Sequence, residues 1–557
     1  MEMMNLTRML MTPGVGQELL SYVGKLDRRS MMEIFDTAWF RSMCYSHSLI
    51  GEDPQVLQLC VNPGSTRPRI WHSLVRSKVK RLSGTIILHD AEVSSGYADS
   101  VLRSRLKQVA PRMHRLDILR KMNTGTNVGM TRRLAQYYGP GDLYQEMSRC
   151  LKLRVLRLAR IMDLSILFES IASSGTRLER VSLHSCKIKN TQLQKLFMCS
   201  RQSMLHLSIS YGRLLSNMGL RFIGEELQQL QTLQLNRIVR LKDEGIGHIR
   251  HLKDLRILHI LGNTSITDRG VRAMLGLHPG LPIDESPPRT WKISDLNLRG
   301  CERLTDTSVS SLLCLPSLTE LNLAGLPLLT DAALKVLGSM KGLRHLDISH
   351  SNQLTDVGLA HLKGLNLGIL NISNGSFTDR SLRHLEHMNL SELDISMNGP
   401  NMTGRTLHCV CKASLRKLNM SALPQLQDTC LADVAKRCTR LEGLNLNNCG
   451  SITEKGLRTV SMMGSLRALG ISNNSNLSDL ALRYLARLKH LTDLDLSGSL
   501  NVSTSGLVAL AEHSFRRLNL SFNPRLSAEA LSLLRKTPPR NVVVTHTMIP
   551  FANFSID

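Results

Sequence analysis

The sequence lacks the features that mark membrane proteins, disulfide-rich proteins and the common classes of enzyme. Only 4% of its 557 residues are aromatic, and no apolar run approaches the ~20 residues of a membrane span. The twelve cysteines include no C-x-x-C pair, and the Cys409-Val-Cys411 pair has no second pair at zinc spacing. Phosphate-binding loops, nucleophile elbows and zinc-protease motifs are also missing. These absences predict a soluble protein that is not an enzyme and uses no cofactor, metal or small-molecule substrate.

The cellular compartment is only weakly indicated. Cysteines without a disulfide pattern predict buried thiols in a reducing compartment, the cytoplasm or the nucleus. The segment from Met1 to Met11 carries one Arg and one Glu and lacks a clean secretory signal. A short mitochondrial presequence stays open, although the early Glu2 argues against it.

The sequence does contain a long repeat, L-x-x-L-x-L, between residues 153 and 520. Its successive central anchors lie 23 to 26 residues apart, with one step of 38. Such regularity is typical of a solenoid built from stacked strand–turn–helix units. The anchors are Leu156, Val181, Leu207, Leu233, Leu258, Leu296, Leu321, Leu346, Leu370, Leu393, Leu418, Leu444, Leu469, Leu494 and Leu518.

One repeat illustrates the expected strand. Leu346 and Ile348 alternate with Asp347, so the two apolar side chains should share one face of a short strand. Asp347 is therefore expected to be exposed to solvent.

The second half of the same repeat predicts a helix. Thr355 suits the N-cap, and Asp356 beside it suits the positive end of the helix dipole. Leu359 and Leu362 follow at helical spacing and should turn inward. Neither the strand nor the helix can bury its apolar face alone, so stacked repeats must bury it together.

The ninth position of most repeats is a thiol or a small polar residue that could bond to neighbouring backbone groups. These residues are Cys186, Asn263, Cys301, Ser351, Asn398, Cys449, Asn474, Ser499 and Asn523. With the Thr-Asp helix start, the pattern resembles the cysteine-containing leucine-rich repeats of F-box proteins. The resemblance implies an α/β fold over 151–537: a curved leucine-rich-repeat solenoid with a parallel sheet inside and helices outside.

Residues 1–60 are predicted to form a helical segment. A Thr12-Pro13 start, a Leu-Leu-Ser-Tyr helix, a central Leu-Asp and a Trp followed by a basic residue resemble an F-box. The resemblance implies that this segment binds the adaptor of a cullin-type ubiquitin ligase. The alternative is a helical cap on the solenoid's apolar end. The residues that would contact the adaptor are Leu19, Leu20, Leu26, Ile34 and Trp39.

Residues 61–150 form a basic transition region with two degenerate repeats, around 79–88 and 113–118. Residues 1–160 carry 25 Lys and Arg against 13 Asp and Glu. This excess makes RNA a candidate partner. The hypothetical basic patch consists of Arg103, Arg105, Lys107, Arg112 and Arg115.

In the later repeats the residue between the strand anchors is Asn, Asp or Gly and never Lys or Arg, while positive charge collects in the helices. These residues form a polar row across the sheet. The row suits a polar or basic partner peptide, or its side chains bond to one another along the sheet as a structural ladder. The hypothetical partner-binding residues in it are Asp347, Asn371, Asp394, Asn419, Asn445 and Asp495.

Two further segments depart from the repeat. Residues 278–290 contain four prolines, which predicts a loop leaving the solenoid. In the C-terminal segment 538–557, the run from Asn541 to Val544 should add an edge strand, followed by a capping tail.

The sequence therefore predicts a protein-interaction solenoid. The F-box resemblance implies a substrate receptor of an SCF-type ubiquitin ligase that binds an adaptor and a target protein. The alternative is a structural subunit or assembly factor of a ribonucleoprotein or cytoskeletal complex.

Overall fold

The computed structural model describes residues 152–161, 164–277, 291–513 and 515–526, together with strands at 57–61, 82–89, 113–121 and 542–543. The chain divides into two compact units, Met1–Leu258 and His259–Asp557. The predicted proline-rich loop 278–290, the tail after 543 and the F-box-like residues lie outside the described part.

The first unit contains a parallel sheet in which strands pair in the order of the sequence. Its strands are Leu57–Val61, Leu82–His89, Met113–Lys121, Val155–Ala159, Arg180–His184, His206–Ser210 and Thr232–Asn236. A further short strand, Ile257–His259, lies at the boundary between the units.

The second unit repeats the arrangement with shorter strands. Each pairs in parallel with the next, and each central leucine lies opposite its counterpart, as Leu321 lies opposite Leu346. The strands are Asp295–Asn297, Glu320–Asn322, His345–Asp347, Ile369–Asn371, Glu392–Asp394, Lys417–Asn419, Gly443–Asn445, Ala468–Gly470, Asp493–Asp495, Arg517–Asn519 and Val542–Val543.

The predicted strand positions are confirmed. All fifteen anchors lie in strands and are buried. The two degenerate repeats form the strands Leu82–His89 and Met113–Lys121, and Val542–Val543 adds the expected last strand beside Arg517–Asn519. The strand Leu57–Val61 was not predicted, because its sequence was assigned to the helical segment.

A helical turn follows most strands. The helices are Ser165–Ser173, Asn190–Ser200, Asn217–Glu226, Asp243–Ile246, Asp268–Leu275, Asp306–Ser311, Asp331–Leu337, Asp356–Leu359, Asp379–His384, Asp428–Arg437, Glu454–Val460, Asp479–Leu485 and Thr504–Val508. Shorter 3-10 turns occupy Gly247–His251, Leu312–Cys314, Ala360–Gly364 and Leu407–Cys409.

Threonine begins these helices as predicted. The Val357 amide donates to Thr355 Oγ1 over 3.3 Å, and the same N-cap bond recurs in six other helices of the second unit, four times with Thr and twice with Ser as the N-cap. The bond satisfies one of the amides that a helix start leaves without a partner.

The core between sheet and helices is aliphatic. Leu346, Ile348, Leu359 and Leu362 are fully buried, as the pattern predicted. Each repeat therefore covers the apolar face of its neighbour, which a single repeat could not do. The strand–turn–helix unit, its parallel pairing and its repeat length define an α/β leucine-rich-repeat solenoid fold.

Candidate partner-binding surface

The Asp and Asn side chains between the strand anchors form hydrogen bonds within their own repeat, to the residue two positions later. Asp347 Oδ1 accepts hydrogen bonds from the Ser349 amide at 3.0 Å and the Ser349 hydroxyl at 2.6 Å. Asp394 binds Ser396 in the same way, with a distance of 2.9 Å from the amide. An Asp or Asn that binds the amide two residues later fixes the turn after the strand.

The prediction that Asp347 is exposed is wrong, since only 5% of its surface is accessible. The alternation placed its side chain correctly on the face opposite the leucines. However, the equivalent side chains of the adjacent strands cover it, and the bonds to Ser349 draw it toward the backbone. Asp394, Asn445 and Asp495 are buried as well, whereas Asn371 and Asn419 are half-buried.

Neighbouring repeats are linked through this row. Asn322 Nδ2 donates to Asp347 Oδ2 over 3.0 Å, and Asn419 Nδ2 donates to Asp394 Oδ2 over 2.8 Å. These bonds confirm the predicted structural ladder at two steps. A partner-binding role for the row stays a prediction, and the half-buried Asn371 and Asn419 are its most accessible members.

Burial also changes the acidity of the row. Desolvation raises the pKa of Asp394, although Ser396 and Asn419 donate to it. Desolvation raises the pKa of Asp495 in the same way, against hydrogen bonds from Ser497 and Asn519. Burial therefore opposes the charged form of both carboxylates, and the hydrogen bonds that they accept favour it.

The ninth position bonds to the backbone as predicted. The Cys301 thiol donates to Ile260 O over 3.1 Å, and the Cys449 thiol donates to Met420 O over 3.2 Å. At the same position of the next repeat, Asn474 Nδ2 donates to Leu446 O over 2.8 Å, and Asn474 Oδ1 accepts from the Cys449 backbone amide over 2.7 Å. Burial raises the pKa of Cys301 and Cys449 to about 11, so both thiols stay protonated near neutral pH.

A second ladder runs along the helix starts. Asp331 Oδ1 accepts from the Thr355 amide over 2.9 Å, and Asp331 Oδ2 accepts from the Thr355 hydroxyl over 2.6 Å. The same pair of bonds joins the Asp and Thr of successive repeats at five further steps; these are Asp268–Thr305, Asp306–Thr330, Asp356–Thr378, Asp379–Thr403 and Asp428–Thr453.

Sequence reasoning gave these aspartates only a dipole role and missed the ladder. The recurrence of Thr-Asp at the repeat spacing is the signal that could have revealed it. Most of these Thr side chains therefore cap their own helix and also donate to the Asp of the preceding repeat, whereas Thr403 only donates.

The remaining predicted site residues lie largely outside the described part of the chain. This applies to Leu19, Leu20, Leu26, Ile34 and Trp39, and to Arg103, Arg105, Lys107 and Arg112. Arg115 belongs to the strand Met113–Lys121. Their binding roles stay predictions.

The described residues contain neither a candidate metal site nor a candidate membrane span. No cluster of three or more His, Cys, Asp or Glu side chains there could hold a metal ion. No helix there is long and apolar enough to cross a membrane.

Cys411 and Cys438 form a hydrogen-bonded thiol pair, which raises the pKa of Cys411 and lowers that of Cys438.

Comparison with known proteins gives one family match. The family model described as "Leucine Rich repeat" matches residues 342–363, the repeat that contains Leu346 and Leu359. No curated protein matches the chain.

The similar solved structures are distant in sequence. An internalin (inlF) from Listeria monocytogenes is 17% identical, with a TM-score of 0.30, over 69% of this chain and 92% of that chain. A chain of the TLR13–ssRNA13 complex is 15% identical, with a TM-score of 0.31, over 80% and 55%. A chain of the yeast Rad7 and Elc1 complex is 13% identical, with a TM-score of 0.34, over 96% and 92%.

The class of protein follows from the repeat geometry and the family match together. The chain is built from leucine-rich repeats, an architecture whose usual task is to bind other proteins through its regular surfaces.

Proposed function

We propose that this protein is a non-catalytic interaction scaffold that serves as the substrate receptor of an SCF-type ubiquitin ligase in ubiquitin-dependent protein degradation. The observation that carries the proposal is the fixed solenoid surface, in which the ladder of Asp331 and Thr355 holds successive repeats in register. The F-box-like sequence supports the ligase role.

The division of tasks follows from the two parts of the chain. The segment containing Leu20 and Leu26 would hold the adaptor through apolar contacts, and the solenoid would hold the target protein. A fixed surface loses little conformational freedom on binding, so it can select a target without rearranging.

Charging the F-box-like segment tests the proposal. Leu20→Glu with Leu26→Glu in the full chain should abolish capture of a purified SCF-type adaptor and leave the thermal unfolding of the solenoid unchanged. Val357→Glu with Met462→Glu is the matched control, because both side chains are exposed on the solenoid. If adaptor capture survives the first variant, the ligase role fails.

The same variants distinguish an adaptor site from a cap. A helical cap with Leu20 or Leu26 in its interface should lose stability when either becomes charged, and the melting temperature of the solenoid would fall. Lowered stability together with no adaptor binding by the unmodified chain would assign the segment a capping role.

A second function is favoured by the exposed positive charge of the helices. Lys335, Arg380, Lys455 and Arg483 all lie exposed on helices of the second unit. A structural subunit or assembly factor of a ribonucleoprotein would use such a face, together with the basic patch near Arg115.

The ribonucleoprotein role makes its own prediction. Binding would weaken steeply with salt, because phosphate contacts release counterions. Reversing the charges of the whole basic patch should remove RNA binding while leaving adaptor capture intact. Its members are Arg103, Arg105, Lys107, Arg112 and Arg115.

A further inference from the structure

The first unit carries a strongly basic surface where its strands lead into its helices. Seven cationic side chains lie exposed in four consecutive strand-to-helix connections, and we refer to this set as the basic edge. Its members are Arg160, Lys187, Lys189, Arg213, Arg237, Arg240 and Lys242.

The backbone holds the basic edge in register. The residues directly after the four strands adopt a left-handed conformation, with φ of 60° at Arg160, 56° at Tyr211 and 54° at Arg237. The Arg160 amide donates to His184 O, and the Tyr211 amide donates to Asn236 O, both over 2.8 Å. These bonds extend the ladder beyond the strand ends, so successive connections leave the sheet side by side at about 4.8 Å per repeat.

Buried apolar residues alternate in sequence with the exposed cations of the basic edge and hold the backbone between them against the core. Ile188 is fully buried between the exposed Lys187 and Lys189, and Leu241 is fully buried between the exposed Arg240 and Lys242. The alternation fixes which side chains face solvent. The basic edge is therefore a preorganised surface, which lowers the entropy lost when a partner binds.

The charges of the basic edge are not neutralised within the described residues. None of its members forms an ion pair there, whereas Lys195 pairs with Glu169 on a helix of the same unit at 2.5 Å. The described residues of the four connections include no Asp or Glu. A row of unpaired cations requires an anionic partner or counterions.

General solubility does not account for this placement. The corresponding connections of the second unit contain no Lys, Arg, Asp or Glu in eight consecutive repeats. These connections are 323–330, 348–355, 372–378, 395–403, 420–427, 446–453, 471–478 and 496–503. The repeat can therefore do without charge at these positions, and the seven cations belong to one local surface.

We propose that the basic edge binds an extended acidic segment of a protein partner. The inference deepens the proposed function, on which it rests in part, because this segment would be the recognition element of the target. Four repeats span a width that about five or six extended residues would cross, at 3.3 Å per residue.

The residue types favour a protein partner over a nucleic acid. Tyr211 is the one exposed Phe, Tyr or Trp ring among the described residues of the first unit, and Arg237 lies 5.5 Å from its centre. Single-stranded nucleic acids are bound by a succession of aromatic platforms, which one ring cannot supply. Tyr and Arg are the residues that dominate protein–protein binding energy, and an Arg fork matches a carboxylate with two bonds.

Fluorescence anisotropy on the full chain tests the proposal. The probe is a labelled peptide of about eight residues with Glu at alternate positions, long enough to cross the four repeats. A peptide with Gln in place of each Glu and a single-stranded oligouridylate of similar length are the comparison probes. The acidic peptide should bind, and the Gln peptide should not.

Two charge-matched triple variants locate the site. Arg213→Glu, Arg237→Glu and Arg240→Glu together should weaken acidic-peptide binding about tenfold or more, since several charge pairs are lost. The control reverses three exposed cations at the opposite ends of the strands and should change the affinity less than about twofold. Its substitutions are Arg177→Glu, Arg201→Glu and Lys253→Glu.

The outcomes separate this inference from the ligase role. An equal loss of affinity in both triple variants, or tighter binding of the oligouridylate than of the acidic peptide, would overturn the proposal. Adaptor capture is measured in parallel. Its loss through Leu20→Glu with Leu26→Glu should leave peptide binding unchanged, so failure of either proposal is seen without the other. Thermal unfolding of every variant confirms that the fold is retained.

Discussion

The carboxylate of Asp331 accepts two hydrogen bonds from Thr355, one from the amide at 2.9 Å and one from the hydroxyl at 2.6 Å. The two residues are separated by one repeat and begin successive helices. The bond pair ties the helical layer together just as the strand ladder ties the sheet. The stacking of repeats is thus fixed by polar contacts at helix starts as well as by leucine packing.

Removing the Asp331 carboxylate should destabilise the second unit. Asp331→Ala leaves the Thr355 amide and hydroxyl without their acceptor, which should lower the free energy of unfolding by about 1–3 kcal/mol. Glu302→Ala is the control, because Glu302 is an exposed acid outside the ladder. Urea titrations of both variants provide the measurement, and equal midpoints would contradict the role of the ladder.

Truncating a strand anchor should cost more than removing a ladder bond. Leu346 is fully buried, so Leu346→Ala should lower the free energy of unfolding by roughly 2–5 kcal/mol through lost burial and the cavity left behind. Val357→Ala is the control, since 70% of the surface of Val357 is exposed. The prediction fails if calorimetry gives both variants the same melting temperature.

The buried carboxylate of Asp394 should produce a measurable pH dependence. Because burial raises its pKa in the folded state, the folded chain binds more protons than the unfolded chain between the ordinary and the raised pKa. The unfolding free energy from this group therefore increases as the pH falls through that window. Asp394→Asn removes the titration, so the stability of the unmodified protein relative to this variant should rise on acidification. A pH-independent difference between the two would refute this.

Asp479 should act in the opposite direction. Burial alone would raise its pKa, but the bonds from Ser503 and Ser505 together lower it. The stability it contributes is therefore present above its ordinary pKa and is lost as the pH falls through the lowered value. Relative to Asp479→Asn, the unmodified protein should lose stability on acidification, as measured by urea unfolding at a series of pH values.

The ninth-position thiols should resist modification. Burial raises the pKa of Cys301 and Cys449 to about 11, so almost no thiolate forms at neutral pH. Maleimide labelling followed by mass spectrometry should leave both residues unmodified in the folded protein and modify both in urea. Rapid labelling of either under native conditions would show that the repeat opens locally.

The sequence by itself determined the strand positions and the inward faces of the helices. A leucine repeat of fixed length leaves one way to bury every anchor, which is to stack the units in parallel. The positions of Leu346, Leu359 and Leu362 followed from local periodicity alone. The Thr355 N-cap followed in the same way, because capping depends on adjacent residues.

Only the tertiary structure decided how polar side chains are shared between repeats. Alternation placed Asp347 opposite the leucines, but its burial depends on neighbours 24 or 25 residues away that cover it. The bonds of Asp331 to Thr355 and the approach of Arg237 to the Tyr211 ring depend in the same way on adjacent repeats. Sequence periodicity describes one repeat at a time. The burial of a polar side chain and the charges around it depend on the neighbouring repeats.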